Sequence, residues 1–149
     1  MIKSPLHLKT YVFTKLSVTA DSPHEGAKRD AAMTTHTKVE TARNNTDKNN
    51  WRVGLQISCV PAEKDAVSYR IEAELIGIFQ MDGDFPEEKA VDIVSANAPS
   101  VLYSAAREMI LLITGRGPFR PFCLPSVTFI DHAPSVRKKS EETKAVAAV

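Results

Sequence analysis

Net charge is nearly absent: 19 Lys and Arg face 18 Asp and Glu, leaving +1 with the histidines neutral. Gripping nucleic acid without sequence preference takes a surplus of cations to neutralise phosphates, so DNA and RNA are not expected partners. Cysteine is scarce as well. Cys59 and Cys123 lie 64 positions apart without CxxC spacing, which fits two reduced thiols better than a disulfide or a zinc site. Long hydrophobic runs are missing too, the longest strongly apolar stretch being Met109 to Thr114. That is far below the roughly 20 residues that span a bilayer, so no membrane insertion is expected. Lys3, His7 and Lys9 interrupt the first ten residues, which therefore lack the apolar block of a secretory signal and point to a cytoplasmic protein.

Catalytic groupings are also wanting. His7, His24, His36 and His132 stand apart from one another and from both thiols, with no HxxxH pair, so neither a metal nor a cofactor is expected. Gly115-Arg116-Gly117 lacks the spacing of a phosphate-cradling loop, and Pro118 removes one of the amides such a loop needs. Cys59 and Cys123 have no evident base, and Glu72 and Glu74 fall on a polar strand face where solvation accounts for them. No catalytic residue is assigned, and the chain reads as a non-enzyme.

What is present is enough apolar material for a core. At 149 residues and 43% hydrophobic, the chain can bury roughly two thirds of its unfolded surface without metal or disulfide staples. Four stretches carry strand chemistry. From Leu6 to Ala20 the even positions Leu6, Leu8, Val12, Leu16 and Val18 suggest one buried face, although Tyr11 and Phe13 fall on the other. Thr34 to Ala42 is rich in β-branched residues. After the polar run Arg43 to Asn50, Trp51, Val53, Leu55, Ile57 and Cys59 alternate with polar residues. Beyond a turn at Pro61 to Ala66, Val67, Tyr69, Ile71, Ala73 and Leu75 do the same, which predicts a hairpin. Short connections favour an antiparallel sheet, because parallel neighbours need crossovers of about a dozen residues or more.

The period then changes. Pro86, Glu87 and Glu88 suit a helix start ahead of Ala90, Val91, Ile93 and Val94. A second helix is predicted from Ser100 to Thr114, with Gly115 as a left-handed cap. This second helix is apolar nearly all round. A domain this small cannot cover every side of it, so Val101, Leu102, Ala105, Met109, Leu112 and Ile113 are expected to meet another subunit. Next, Pro118, Pro121 and Pro125 hold the chain extended while Phe119, Phe122, Leu124, Val127 and Phe129 decorate it. Such a segment can wall an apolar groove, and it can equally be a loop stapled to the core by its aromatics. Residues 134–149, with Arg137-Lys138-Lys139 and an Ala-rich end, read as a tail, partly helical or disordered.

The segment Asn97-Ala-Pro-Ser-Val-Leu-Tyr-Ser-Ala-Ala-Arg-Glu-Met-Ile, then Thr114-Gly-Arg-Gly-Pro-Phe and Leu124-Pro-Ser-Val-Thr-Phe129, resembles the signature half of the SecB family. Weaker similarity runs upstream through Gly77-Ile78-Phe79, so the resemblance covers about Leu6 to Asp131. It implies an α+β fold over residues 1–133: a four-stranded antiparallel sheet with two helices on one face and a Pro-rich crossover loop. It further implies dimers formed through sheet edges and joined by helices into a homotetramer. The implied activity is an ATP-independent holdase for unfolded client polypeptides, whose groove would include Val39, Tyr103, Phe119, Phe122, Leu124, Val127 and Phe129. Export relatives dock the SecA motor through carboxylates on the outer sheet face. Glu72 aligns with one of these, while Arg70 replaces an apolar contact and first-strand acids are missing around Leu16 and Thr19. Other relatives are chaperones dedicated to an antitoxin of a toxin-antitoxin system, which gives a second reading. A small-molecule-binding domain on the same fold is a third.

Overall fold

Residues of β4 (Asn50–Pro61) and β6 (Tyr69–Met81) alternate as the sequence predicts, and the two strands pair antiparallel with Leu55 opposite Leu75 and Ile57 opposite Ala73. They form the centre of the sheet. The computed structural model describes residues 1–29 and 31–130; Asp30 and the tail at 131–149, with its basic cluster, lie outside the described residues. β1 (Leu6–Ala20) lines the outer side of β6, and β3 (Met33–Arg43) lines β4, giving one four-stranded antiparallel sheet in the order β1-β6-β4-β3. Consecutive strands β1 and β3 therefore sit at opposite edges. Their connection carries a two-residue strand, β2 (Lys28–Arg29), which pairs parallel with β5 (Ala66–Val67). Asp21 ties the start of this connection to β6: its N–H donates to the Ser68 carbonyl, and its carboxylate accepts from Ser68 N and Arg70 Nε.

β1 explains its own irregular pattern. Its register against β6 slips between Leu8 and Thr10 and again between Phe13 and Lys15. Each extra residue rephases the alternation of side chains. Leu6 and Leu8, then Tyr11 and Phe13, then Leu16 and Val18 consequently share the face of the buried positions on β6, while Thr10 and Val12 share the opposite face. The expected even-numbered face is thus corrected: Val12 is 53% exposed, and the two aromatics point with the core side.

One helix, α1 (Glu87–Thr114), replaces the two that the sequence suggests. Pro99 lies inside it and removes the N–H that the Ser95 carbonyl would otherwise accept, which is the local reason to expect a break. The burial pattern overrides that local rule. Ala90, Val94, Ala98, Leu102, Ala106, Ile110 and Thr114 recur every four residues on the buried face, with no interruption at Pro99, which is itself fully buried. Close approach to the sheet is allowed by Gly77, where an added Cβ would meet the Phe79 ring and the Leu102 side chain at 2.6 and 2.8 Å. The end of the helix differs too: Gly115 keeps right-handed helical angles (φ −64°), and its N–H donates to the Leu111 carbonyl.

Candidate functional site

Beyond α1 the chain folds back beside the helix it has just left. Gly117 makes this possible, since a Cβ there would collide with the Tyr69 hydroxyl. Three hydroxyl groups then pin the segment. The Tyr69 oxygen accepts the Phe119 N–H at 3.1 Å and shares its own proton between the Thr114 and Phe119 carbonyls, at 3.0 and 3.1 Å. Thr114 Oγ1 accepts the Phe122 N–H at 2.9 Å and donates to the Ile110 carbonyl at 2.7 Å. Tyr103 donates to the Pro125 carbonyl at 2.7 Å. Between these points Pro118, Pro121 and Pro125 have no N–H to satisfy, so the segment needs no strand partner.

The side chains divide into two sets. Phe119, Leu124, Phe129 and Tyr103 are buried in the chain's own core, Leu124 completely, with Phe119 edge-on to Tyr69 and Phe129 edge-on to Tyr103. These four form the supporting side of the wall. Phe122 and Val39 are half-buried, and Val127 is 42% exposed. Ile130, which sequence reasoning missed, is 59% exposed at the end of the same segment. Three prolines disrupt the alternation there, so no periodicity marks which apolar residues turn outward.

The helix divides similarly. Leu102 is fully buried against the sheet and has no surface to offer a second subunit, whereas Val101 and Leu112 are exposed and Ala105, Met109 and Ile113 are half-buried. Leu111, also missed, adds to this strip.

Burial pushes the Tyr103 hydroxyl up to about 12, with the nearby Cys59 and Cys123 thiols adding to the shift and Arg107 opposing it. Burial likewise raises the Cys59 thiol, against a hydrogen bond from Thr35 that lowers it. A hydroxyl whose folded pKa exceeds its unfolded value of 10.0 contributes stability that is complete below about pH 10 and is lost as pH climbs towards about 12. Thermal melts of the wild-type protein should therefore drop through that window. Tyr103→Phe should show a shallower drop, leaving the contributions of Cys59 and the ion-paired Lys15 and Lys28; an unchanged pH profile in the variant would contradict this placement.

The sequence model of the family described as preprotein translocase subunit SecB matches residues 4–132. The chain belongs to the SecB family. It is 27% identical over 110 residues to a protein-export protein SecB of Hahella chejuensis, covering 73% of this chain and 69% of that one. It is 32% identical over 83 residues to the Psychrobacter arcticus protein-export protein SecB, covering 56% of this chain and 55% of that one. The chain thus spans from about half to just over two thirds of the length of these relatives. Among solved structures it is similar to a Mycobacterium tuberculosis SecB-like chaperone in complex with an antitoxin peptide, with TM-score 0.59 at 14% identity over 83% of this chain and 91% of that one. A Streptococcus agalactiae protein of unknown function matches at TM-score 0.50 and 12% identity, over 81% and 97% of the two chains. These likenesses show a shared SecB-like fold.

On the outer sheet face, where the SecB resemblance put Glu72, several opposite charges are paired. Lys15 is ion-paired with Glu72, which holds its ammonium above the usual value. Arg70 is bound to Asp21 at 2.8 Å and Lys38 to Glu40 at 3.1 Å. Among the described residues no helix is long and apolar enough to cross a membrane.

Proposed function

We propose that the chain is a cytoplasmic, ATP-independent holdase that binds unfolded polypeptides along the apolar strip made by the pinned segment. The observation that carries this reading is the division of that segment: Phe119, Leu124 and Phe129 anchor it inward, while Val127, Ile130 and part of Phe122 stay exposed on a backbone held at three points. A surface that stays apolar because its frame is stiff binds client side chains by burial, with little sequence preference and without paying again for its own ordering. Val39 extends the strip, and Tyr103 acts from beneath by fixing Pro125. The exposed helix strip, Val101, Ala105, Met109, Leu112 and Ile113, joins subunits into a dimer of dimers, and several client strips on one assembly add avidity.

The test is aggregation of a chemically unfolded client at equal subunit concentration. Wild-type protein should delay it. Val127→Asp with Ile130→Asp should weaken client binding about tenfold, as expected when two exposed apolar contacts worth roughly 1 kcal/mol together with their desolvation are replaced by charges. Oligomer mass and helicity should not change, and full retention of activity would remove the strip from the site.

A second reading, a chaperone serving one antitoxin, is favoured by the ion pairs that tie up acids on the outer face. Glu72 is already paired with Lys15, which leaves the half-buried Glu74 beside it as the unpaired acid of this part of the face for a motor such as SecA to recognise. Titration of SecA should give weak binding that Glu72→Lys does not weaken much further. Tight binding abolished by Glu72→Lys would return the protein to export duty.

A further inference from the structure

From the charges beside the exposed strip we infer that the client site selects apolar segments carrying carboxylates. This rests on the client-binding reading above and adds the class of polypeptide it takes. No Asp or Glu occurs anywhere from Met109 to Ile130, yet Arg116 and Arg120 lie within that stretch, both exposed at the start of the pinned segment. Arg107 stands on the adjoining helix with its Nε 3.2 Å from the Cys123 sulfur. Among the described residues none of these three guanidinium groups has a carboxylate within ion-pair distance, whereas Arg43 and Arg70 do.

The neighbouring surfaces do not cancel this charge. The positions of β3 on the helix-side face are Met33, Thr35, Thr37, Val39, Thr41 and Arg43, none of them acidic. Glu40 lies on the opposite face and pairs with Lys38. From Arg107 to Ile130 the described residues hold three arginines and one acid, Glu108, exposed on the helix. A client lying along the strip would bring its apolar side chains to Val127 and Ile130 and its flanking groups to Arg116 and Arg120. Guanidinium groups hold carboxylates through paired hydrogen bonds and repel lysine and arginine. Charge on the rim thus ranks clients that the apolar strip alone treats alike.

Two peptides with the same apolar core, one flanked by Asp and Glu and the other by Lys, test this against the full-length chain by fluorescence anisotropy. At low salt the acidic peptide should bind roughly three- to tenfold more tightly, from a few exposed pairs of modest strength. The preference should shrink as salt screens the rim. Arg116→Glu with Arg120→Glu, both exposed and without a side-chain hydrogen bond or ion pair among the described residues, should reverse the order while circular dichroism is unchanged. If both peptides bind equally, or the Lys peptide binds better, the inference fails and the client reading stands. If neither binds and no unfolded client is held, both fail together.

Discussion

Leu124→Ala should lower the free energy of unfolding by about 2–5 kcal/mol, the usual cost of emptying a fully buried leucine site. Leu124 is 0% exposed although it belongs to a segment with no regular secondary structure. It is fixed between the Thr114 and Tyr103 attachment points by neighbours at Phe122 and Pro125, so the surroundings have little freedom to collapse into the gap. Chemical denaturation should show the loss directly. A change below about 1 kcal/mol would mean that the segment is a loose cover and does not belong to the core.

Tyr69→Phe is the second large effect. The ring and its packing against Phe119 are preserved, so the variant isolates one oxygen. Removing that oxygen orphans the Phe119 N–H and the Phe119 carbonyl; the Thr114 carbonyl keeps the N–H of Gly117. Each buried group left without a partner costs roughly 1–3 kcal/mol, which sums to about 2–6 kcal/mol for this site. Hydrogen exchange offers a second measurement: the amides of Phe119 and Phe122 should lose protection before those of β4 and β6. Client affinity should fall as well, because the strip would have to be ordered again at each binding event. A variant with native stability but weakened client binding would still identify Tyr69 as a support of the site, whereas no change in either would show that the oxygen is dispensable.

Much of this architecture was legible in the sequence. Strict alternation in Trp51 to Cys59 and Tyr69 to Leu75 specified the central pair of strands, because every second residue there is buried under one helix, whereas Val67 belongs to β5 and Ser68 beside it is buried too. Where reading failed, a distant partner had overruled a local rule. Pro99 signals a break, but the four-residue spacing from Ala90 to Thr114 keeps one face on the sheet, and burying that face outweighs one missing backbone bond. Tyr11 and Phe13 looked misplaced because alternation assumes one residue per rung, which β1 violates twice.

At the candidate site, composition revealed an apolar, proline-stiffened segment. It could not reveal which aromatics point inward, since that depends on Tyr69, 50 residues earlier in the chain, and on Tyr103. Ile130 and Leu111 escaped notice for the same reason: exposure is decided by what lies across the fold. A helix apolar nearly all round points Leu102 to an interface, and only the sheet beneath shows that this side is already taken.

The two slips in the edge strand set a rule for its length. Lys9 and Thr14 are the surplus residues at those points, so excising either one would close the slip at its own position and leave every other side chain facing as before. Excising Val12 would instead let Thr14 fill the vacated rung, turning Phe13 to the outer face and setting Thr14 opposite Leu75. A deletion along this margin is thus silent at two addresses and, between them, exchanges an aromatic packed on the core for a threonine.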